Sequence, residues 1–91
     1  MHRLHDFAVV KIEEQVERAV KMYLHAQEAD TDFTKKYRLT ELVELCGEAW
    51  GMLSGYYHGD MLTEEEFDNW ADVILPMQTD AKNLLRHGRF F

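Results

Sequence analysis

Apolar residues recur at alternating spacings of three and four along this sequence, and this periodicity limits the folds that are open to the chain. The first stretch has them at Val9, Ile12, Val16, Ala19, Tyr23 and Ala26, and the second at Leu39, Leu42, Cys46, Ala49, Leu53 and Tyr56. Such spacing gives a helix one apolar stripe with which it packs along other helices. Because the 91 residues include one Pro and five Gly, the pattern predicts an all-α fold.

Local signals predict the ends of the first two helices. The first helix is expected over residues 7–28, with Asp6 as its N-cap. The second is expected to begin between residues 33 and 39 and to end near residue 57. Gly59 follows that end and is predicted to adopt the left-handed conformation that terminates many helices.

The third helix has the clearest start signal in the chain. Thr63 is followed three residues later by Glu66, which is the spacing of a capping box. Pro76 lies farther along, where the missing N–H is expected to kink the helix or to begin a fourth, short one. The broad apolar stripe of the second helix predicts that it is central. We therefore expect a single domain over residues 1–91, a small antiparallel bundle of three long helices with the third kinked or split at Pro76.

The charge balance argues against some classes of partner. Ten Lys and Arg stand against seventeen Asp and Glu, so the net charge is −7. This sign disfavours direct binding to nucleic acid. The lone Cys46 cannot form an internal disulfide, and neither a signal-peptide core nor an 18-residue apolar span is seen. We expect a cytoplasmic protein without a membrane-spanning segment.

Glycine recurs at every fourth position of the second helix and its end, at Gly47, Gly51, Gly55 and Gly59. Inside a helix each glycine costs about 1 kcal/mol relative to alanine. The ladder lies opposite the apolar stripe, where a smooth face would let another backbone approach closely. A tight helix crossing, within the subunit or across a dimer, is the functional interpretation. An incidental run of small residues facing water and a small-molecule groove are the alternatives.

Aromatic residues suggest further contact points. A group brackets the turn between the second and third helices, and it either packs in the core or forms an exposed interface patch: Trp50, Tyr56, Tyr57, Phe67 and Trp70. The C-terminal Phe90 and Phe91 have no helical partner, so they are expected to fold back or to dock on another chain. The predicted interface comprises Gly47, Gly51, Gly55, Tyr57, Phe90 and Phe91.

Residues 42–49 and 69–74 resemble two successive helices of the MazG-like all-α nucleoside triphosphate pyrophosphatases. That family binds Mg²⁺ through a Glu-Glu-x-x-Glu motif and a later Glu-x-x-Asp motif. The resemblance implies a Mg²⁺ site at Glu44, Glu48 and Asp72.

The sequence departs from the family pattern at two ligand positions. Leu45 and Asn69 stand where two further ligands would be, so two of the four are missing. Acidic pairs at helical spacing also arise by chance in so acidic a chain, and a solvated face is the simpler interpretation. Cys46 lies on the apolar stripe and is expected to be a buried, inert thiol. His58 and His87 each precede a Gly and are expected to cap helix C-termini.

No catalytic constellation in the sequence is complete, and this favours a non-catalytic function. We expect a small acidic interaction or regulatory protein that acts by helix-mediated self-association as a homodimer or by binding a larger protein. Inhibition of a partner with a basic surface is one form of such binding. The alternative is a degenerate MazG-like Mg²⁺-dependent nucleotide pyrophosphohydrolase.

Overall fold

The computed structural model describes residues 2–87 and contains three helices. They are α1 (His2–Gln27), α2 (Asp32–His58) and α3 (Glu64–His87). No strand occurs within the described residues. The predicted all-α bundle of three long helices is confirmed.

Helix α2 is the central element, as its broad apolar stripe predicts. It packs along α1 on one side and along α3 on the other. Its core-facing residues are fully or almost fully buried: Leu39, Leu42, Cys46, Ala49 and Leu53. Because the helices are 24 to 27 residues long and lie side by side, the bundle is elongated, with extents of 48 × 18 × 15 Å.

Helix α1 begins earlier than the sequence signals indicate. Asp6 lies inside the helix, so its prediction as an N-cap is wrong. The residues before Asp6 lack the apolar stripe that marks the rest of α1, so the periodicity does not predict these helical residues. Contacts made by the first turns help to explain the longer helix: Ala8 is fully buried, and the His5 imidazole bonds to Glu66 of α3.

The ends of α2 are set by local hydrogen bonds. Thr31 is the N-cap, and its hydroxyl accepts a bond from the Thr34 N–H at 3.1 Å. At the other end, Gly59 has φ −85°, so the left-handed conformation predicted for it is wrong. Asp60 takes that conformation instead, with φ 59°, and donates its N–H to the Tyr57 carbonyl. The turn closes one residue later than expected, at a residue type whose short polar side chain tolerates the left-handed region.

The capping box of α3 is confirmed in both of its hydrogen bonds. The Thr63 N–H donates to Glu66 Oε1 at 2.9 Å, and the Glu66 N–H donates to Thr63 Oγ1 at 3.1 Å. Pro76 lies within α3, which remains one helix from Glu64 to His87. Of the alternatives at Pro76, a split into two helices is wrong. Buried Ile74 and Ala81 lie on either side of the proline and attach both halves of α3 to the core.

Candidate protein interface

One face of α2 is covered by neither α1 nor α3. At about 100° per residue, seven positions of α2 fall within a sector of about 60° on this side of the helix, the last of them the terminal residue His58. All seven residues are exposed, and we call the six that precede His58 the outer α2 face: Phe33, Tyr37, Thr40, Glu44, Gly51 and Gly55. The glycine ladder was predicted to lie opposite the apolar stripe, and Gly51 and Gly55 do.

The N-terminal half of this face carries two aromatic side chains. Phe33 is 81 % exposed, more than any other large apolar residue in the described chain, and Tyr37 is 65 % exposed. Together with Lys36 and Thr40 they line an open, mainly apolar groove of about 270 Å³. Two exposed rings on adjacent turns favour association, because burial of each ring against another surface would remove its apolar area from water and lower the free energy.

The C-terminal half of the face is smooth. A Cβ placed on Gly51 or Gly55 would meet no heavy atom within 4 Å among the described residues beyond its chain neighbours and the adjoining backbone of α2, so both positions are sterically open. Gly47 differs, since a Cβ there would lie 3.7 Å from Gln78 Nε2 of α3. The ladder therefore has two environments: Gly47 lies beside α3, whereas Gly51 and Gly55 lie on the outer α2 face.

The aromatic group near the α2–α3 turn packs largely within the subunit. The Tyr57 ring centroid lies 4.6 Å from that of Phe67, and the Trp50 centroid lies 5.6 Å from the same ring. Tyr57 is thus half-buried by α3 rather than gathered with the glycines. Phe90 and Phe91 lie outside the described residues.

The three carboxylates implied as Mg²⁺ ligands are exposed and lie on two helices. Glu44 belongs to the outer α2 face, and Asp72 lies on α3. Glu48 Oε2 accepts a hydrogen bond from Gln15 Nε2 of α1 at 3.1 Å. Within residues 2–87, no group of three or more His, Cys, Asp or Glu side chains is placed to hold a metal ion.

Sequence reasoning missed two features of this region. Gln15 is 5 % exposed, and its amide donates both to Glu48 and to the Leu45 carbonyl, which satisfies a polar group at the α1–α2 contact. Phe33 and Tyr37 lie in the range where the sequence predicts the start of α2, and neither is among the predicted interface residues. The sequence does contain a signal for them, because they share a helical face with Gly51 and Gly55, opposite the apolar stripe.

Cys46 is buried, as predicted from its place on the apolar stripe. Desolvation raises the pKa of its thiol from 9.0 to about 11. Since the thiolate is the nucleophile, this environment keeps the thiol unreactive near neutral pH. His58 and His87 are the last residues of α2 and α3, where the sequence places helix ends.

A second open groove lies between α1 and α2. Its volume is about 470 Å³, and its apolar floor includes Met22 and Leu45. Arg18, Lys21 and His25 form much of its rim. The groove contains none of the glycines and is a separate surface from the outer α2 face.

These features define a small all-α three-helix bundle whose central helix has an uncovered face. Over the described residues, no helix combines the length and apolar character that a bilayer crossing requires. No protein-family model, curated protein or solved structure matches the chain. The resemblance to the MazG-like pyrophosphatases therefore stays a prediction.

Proposed function

We propose that this chain is a small cytoplasmic interaction protein with a non-catalytic, regulatory role, and that it self-associates as a homodimer through the outer α2 face. One observation carries the proposal: Phe33 and Tyr37 are exposed on the same face as the open glycines Gly51 and Gly55. Aromatic side chains are enriched where protein partners bind. Glycine on a helix lets a second helix approach closely.

The size of the chain adds a physical reason for association. A domain of about 90 residues buries only about 60–65 % of the surface that its unfolded chain exposes, so its own core gives a narrow stability margin. Burial of the outer α2 face against a second chain would stabilise the fold and offset the helix-propensity cost of Gly51 and Gly55. A larger protein could occupy the same face, with inhibition of that partner as one outcome.

Sedimentation velocity at micromolar concentration tests the proposal. Wild type is expected to sediment as a dimer, and Phe33→Ser is expected to shift it towards monomer because the most exposed ring of the face is removed. Leu24→Ser is the matched control, since Leu24 is also exposed, at 52 %, but lies on α1. It should leave the dimer unchanged.

Two results would contradict the proposal. A monomeric wild type excludes self-association at this concentration, and co-purification from the native host would then identify a larger partner. Mg²⁺-dependent turnover in a nucleotide panel would instead support the pyrophosphohydrolase alternative and would contradict a non-catalytic function.

A further inference from the structure

The first turns of α1 bury little apolar surface. Among the described side chains of this helix, Ala8 is the first that is fully buried, and those before it are exposed or half-buried. Leu4 is 48 % exposed and Phe7 is 51 % exposed, although the Phe7 ring centroid lies 6.3 Å from that of Tyr56 in α2. A helical segment with so little buried area opens at a low cost in free energy.

The His5 side chain provides a polar contact between this segment and α3. Its Nε2 lies 2.6 Å from Glu66 Oε2, and its Nδ1 lies 3.3 Å from Asp6 Oδ1. One of the two carboxylates thus belongs to its own helix and the other to α3. Within the described residues, helix α2 adds no ionisable group to the hydrogen bonds and charges that act on the ring.

The geometry of the ring indicates which charge state suits it. A neutral imidazole has one N–H, so it can donate a hydrogen bond to only one of two carboxylates. The other carboxylate would then face a nitrogen lone pair, which repels it. An imidazolium donates from both nitrogens, and its charge strengthens both bonds. The contact between α1 and α3 therefore depends on one proton.

We propose that His5 is a pH-sensitive switch that controls how firmly residues 2–7, the first turns of α1, pack against α3. While the ring holds its second proton, the segment stays in place. When that proton is lost, the contact with Glu66 weakens, and the segment opens more often while the rest of the bundle stays folded. The switch involves α1 and α3 and does not depend on self-association through the outer α2 face.

The two carboxylates determine the pH range in which the switch responds. The hydrogen bond to Glu66, followed by that to Asp6, raises the pKa of His5 above 6.5. The Thr63 N–H, followed by His5, lowers the pKa of Glu66 below 4.5. The contact is therefore complete between pH 4.5 and 6.5, where both groups are charged. It weakens as pH rises through the raised pKa of His5.

The expected effect is a local one of modest size. The side chains of His5 and Glu66 are 42 % and 29 % exposed, so solvent screens their attraction. We expect loss of the proton to increase the population of the open segment by about two- to five-fold. A change of this size is measurable because hydrogen exchange reports local opening without unfolding of the whole chain.

Millisecond pulse-labelling of amide hydrogens in the full chain tests the switch. The first four N–H groups of a helix have no intrahelical partner, so the amides of residues 6–9 are the ones to follow. Their protection factors, which correct for the intrinsic pH dependence of exchange, should fall by about two- to five-fold between about pH 6 and pH 8.5. Those of residues 15–20, in the middle of α1, should not change.

Two variants identify the groups responsible. His5→Gln removes the titrating ring. Glu66→Gln removes the charge on α3 and keeps a side-chain oxygen that can accept the Thr63 N–H, so the capping box is retained. In both variants the protection of residues 6–9 should no longer vary with pH. His25→Gln changes the same residue type in the last turn of α1 and should retain the wild-type pH dependence.

Each outcome supports or overturns the switch. A selective fall in protection at residues 6–9 that both variants abolish supports it. Wild-type protection that is independent of pH overturns it, and so does an unchanged pH dependence in His5→Gln. A parallel fall at residues 15–20 also overturns it, because α1 would then open as a whole. The sedimentation result tests self-association separately, so the two proposals can fail independently.

Discussion

His5 Nε2 lies 2.6 Å from Glu66 Oε2, and this contact links the first turns of α1 to the first turn of α3. Each of these helices packs mainly on α2, so the pair joins two elements that otherwise meet little. The Glu66 carboxylate also accepts the Thr63 N–H through its other oxygen. A single side chain therefore caps α3 and holds α1 beside it.

The His5–Glu66 contact predicts a pH-dependent contribution to stability. The hydrogen bond to Glu66, followed by that to Asp6, raises the pKa of His5 above 6.5. The N–H of Thr63, followed by His5, lowers the pKa of Glu66 below 4.5. The His5 contribution is complete below pH 6.5 and is lost as pH rises through the raised pKa. The Glu66 contribution is present above pH 4.5 and is lost as pH falls through the lowered pKa.

The stability difference between wild type and His5→Gln should therefore be largest between pH 4.5 and 6.5. It should shrink on the alkaline side as His5 loses its proton. Urea unfolding of both proteins across this range measures the difference, and His25→Gln is a control because His25 lies in the last turn of α1. A difference that does not vary with pH would mean that the pair is not an ionic contact in solution.

Loss of the α3 cap should destabilise the protein measurably. Thr63→Ala removes the hydroxyl that accepts the Glu66 N–H, and it is expected to lower the free energy of unfolding by about 1 kcal/mol. Thr79→Ala makes the same change at an exposed position inside α3, where alanine is the better helix former, and should not destabilise. Chemical denaturation of the two variants compares them, and equal stabilities would argue against the cap.

The open glycines predict a gain in stability on substitution. Gly51→Ala adds a methyl group into free space and should stabilise α2 by about 0.5–1 kcal/mol. The measurement belongs in a Phe33→Ser background, so that dimerisation does not contribute to the unfolding free energy. Gly59→Ala is the contrasting variant, because its Cβ would lie 3.2 Å from the Gly55 carbonyl oxygen. It should gain nothing or lose stability, and a reversed order would contradict the steric argument.

Burial of Cys46 predicts slow reaction with thiol reagents. With a pKa of about 11 and no exposed surface, the thiol should react with an aromatic disulfide reagent far more slowly in native protein than in urea-unfolded protein. Glu13→Cys, at an exposed position of α1 away from the outer α2 face, should react rapidly in the same native protein. Comparable native rates at the two sites would show that α2 separates readily from its neighbours.

The fold was largely predictable because its determinants are local. The spacing of Leu39, Leu42 and Cys46 marks the buried side of α2, and the pairing of Thr63 with Glu66 marks the start of α3. Both signals act within a few turns of one helix. They need no knowledge of what lies elsewhere in the chain.

The sequence-based predictions were wrong where the structure depends on a residue distant in sequence or on the backbone dihedral angles of a single residue. The first turns of α1 carry His5, which contacts Glu66 of α3. No local pattern in the sequence reveals which residue of α3 will lie opposite His5. The left-handed residue after α2 is Asp60 rather than Gly59, because the turn closes one position later. The exposure of Phe33 depends on neither α1 nor α3 reaching that side of α2, which is a property of the assembled bundle.

The order of packing along the chain also has a consequence for the rate at which the molecule folds. Because α2 pairs with the helix before it and the helix after it, most contacts join residues that are close in sequence. Such low contact order is typical of chains that fold within microseconds to milliseconds. The bond between His5 and Glu66 spans 61 positions, so its loop-closure cost is high and it should form late. We expect its loss to speed unfolding while leaving the rate of folding almost unchanged.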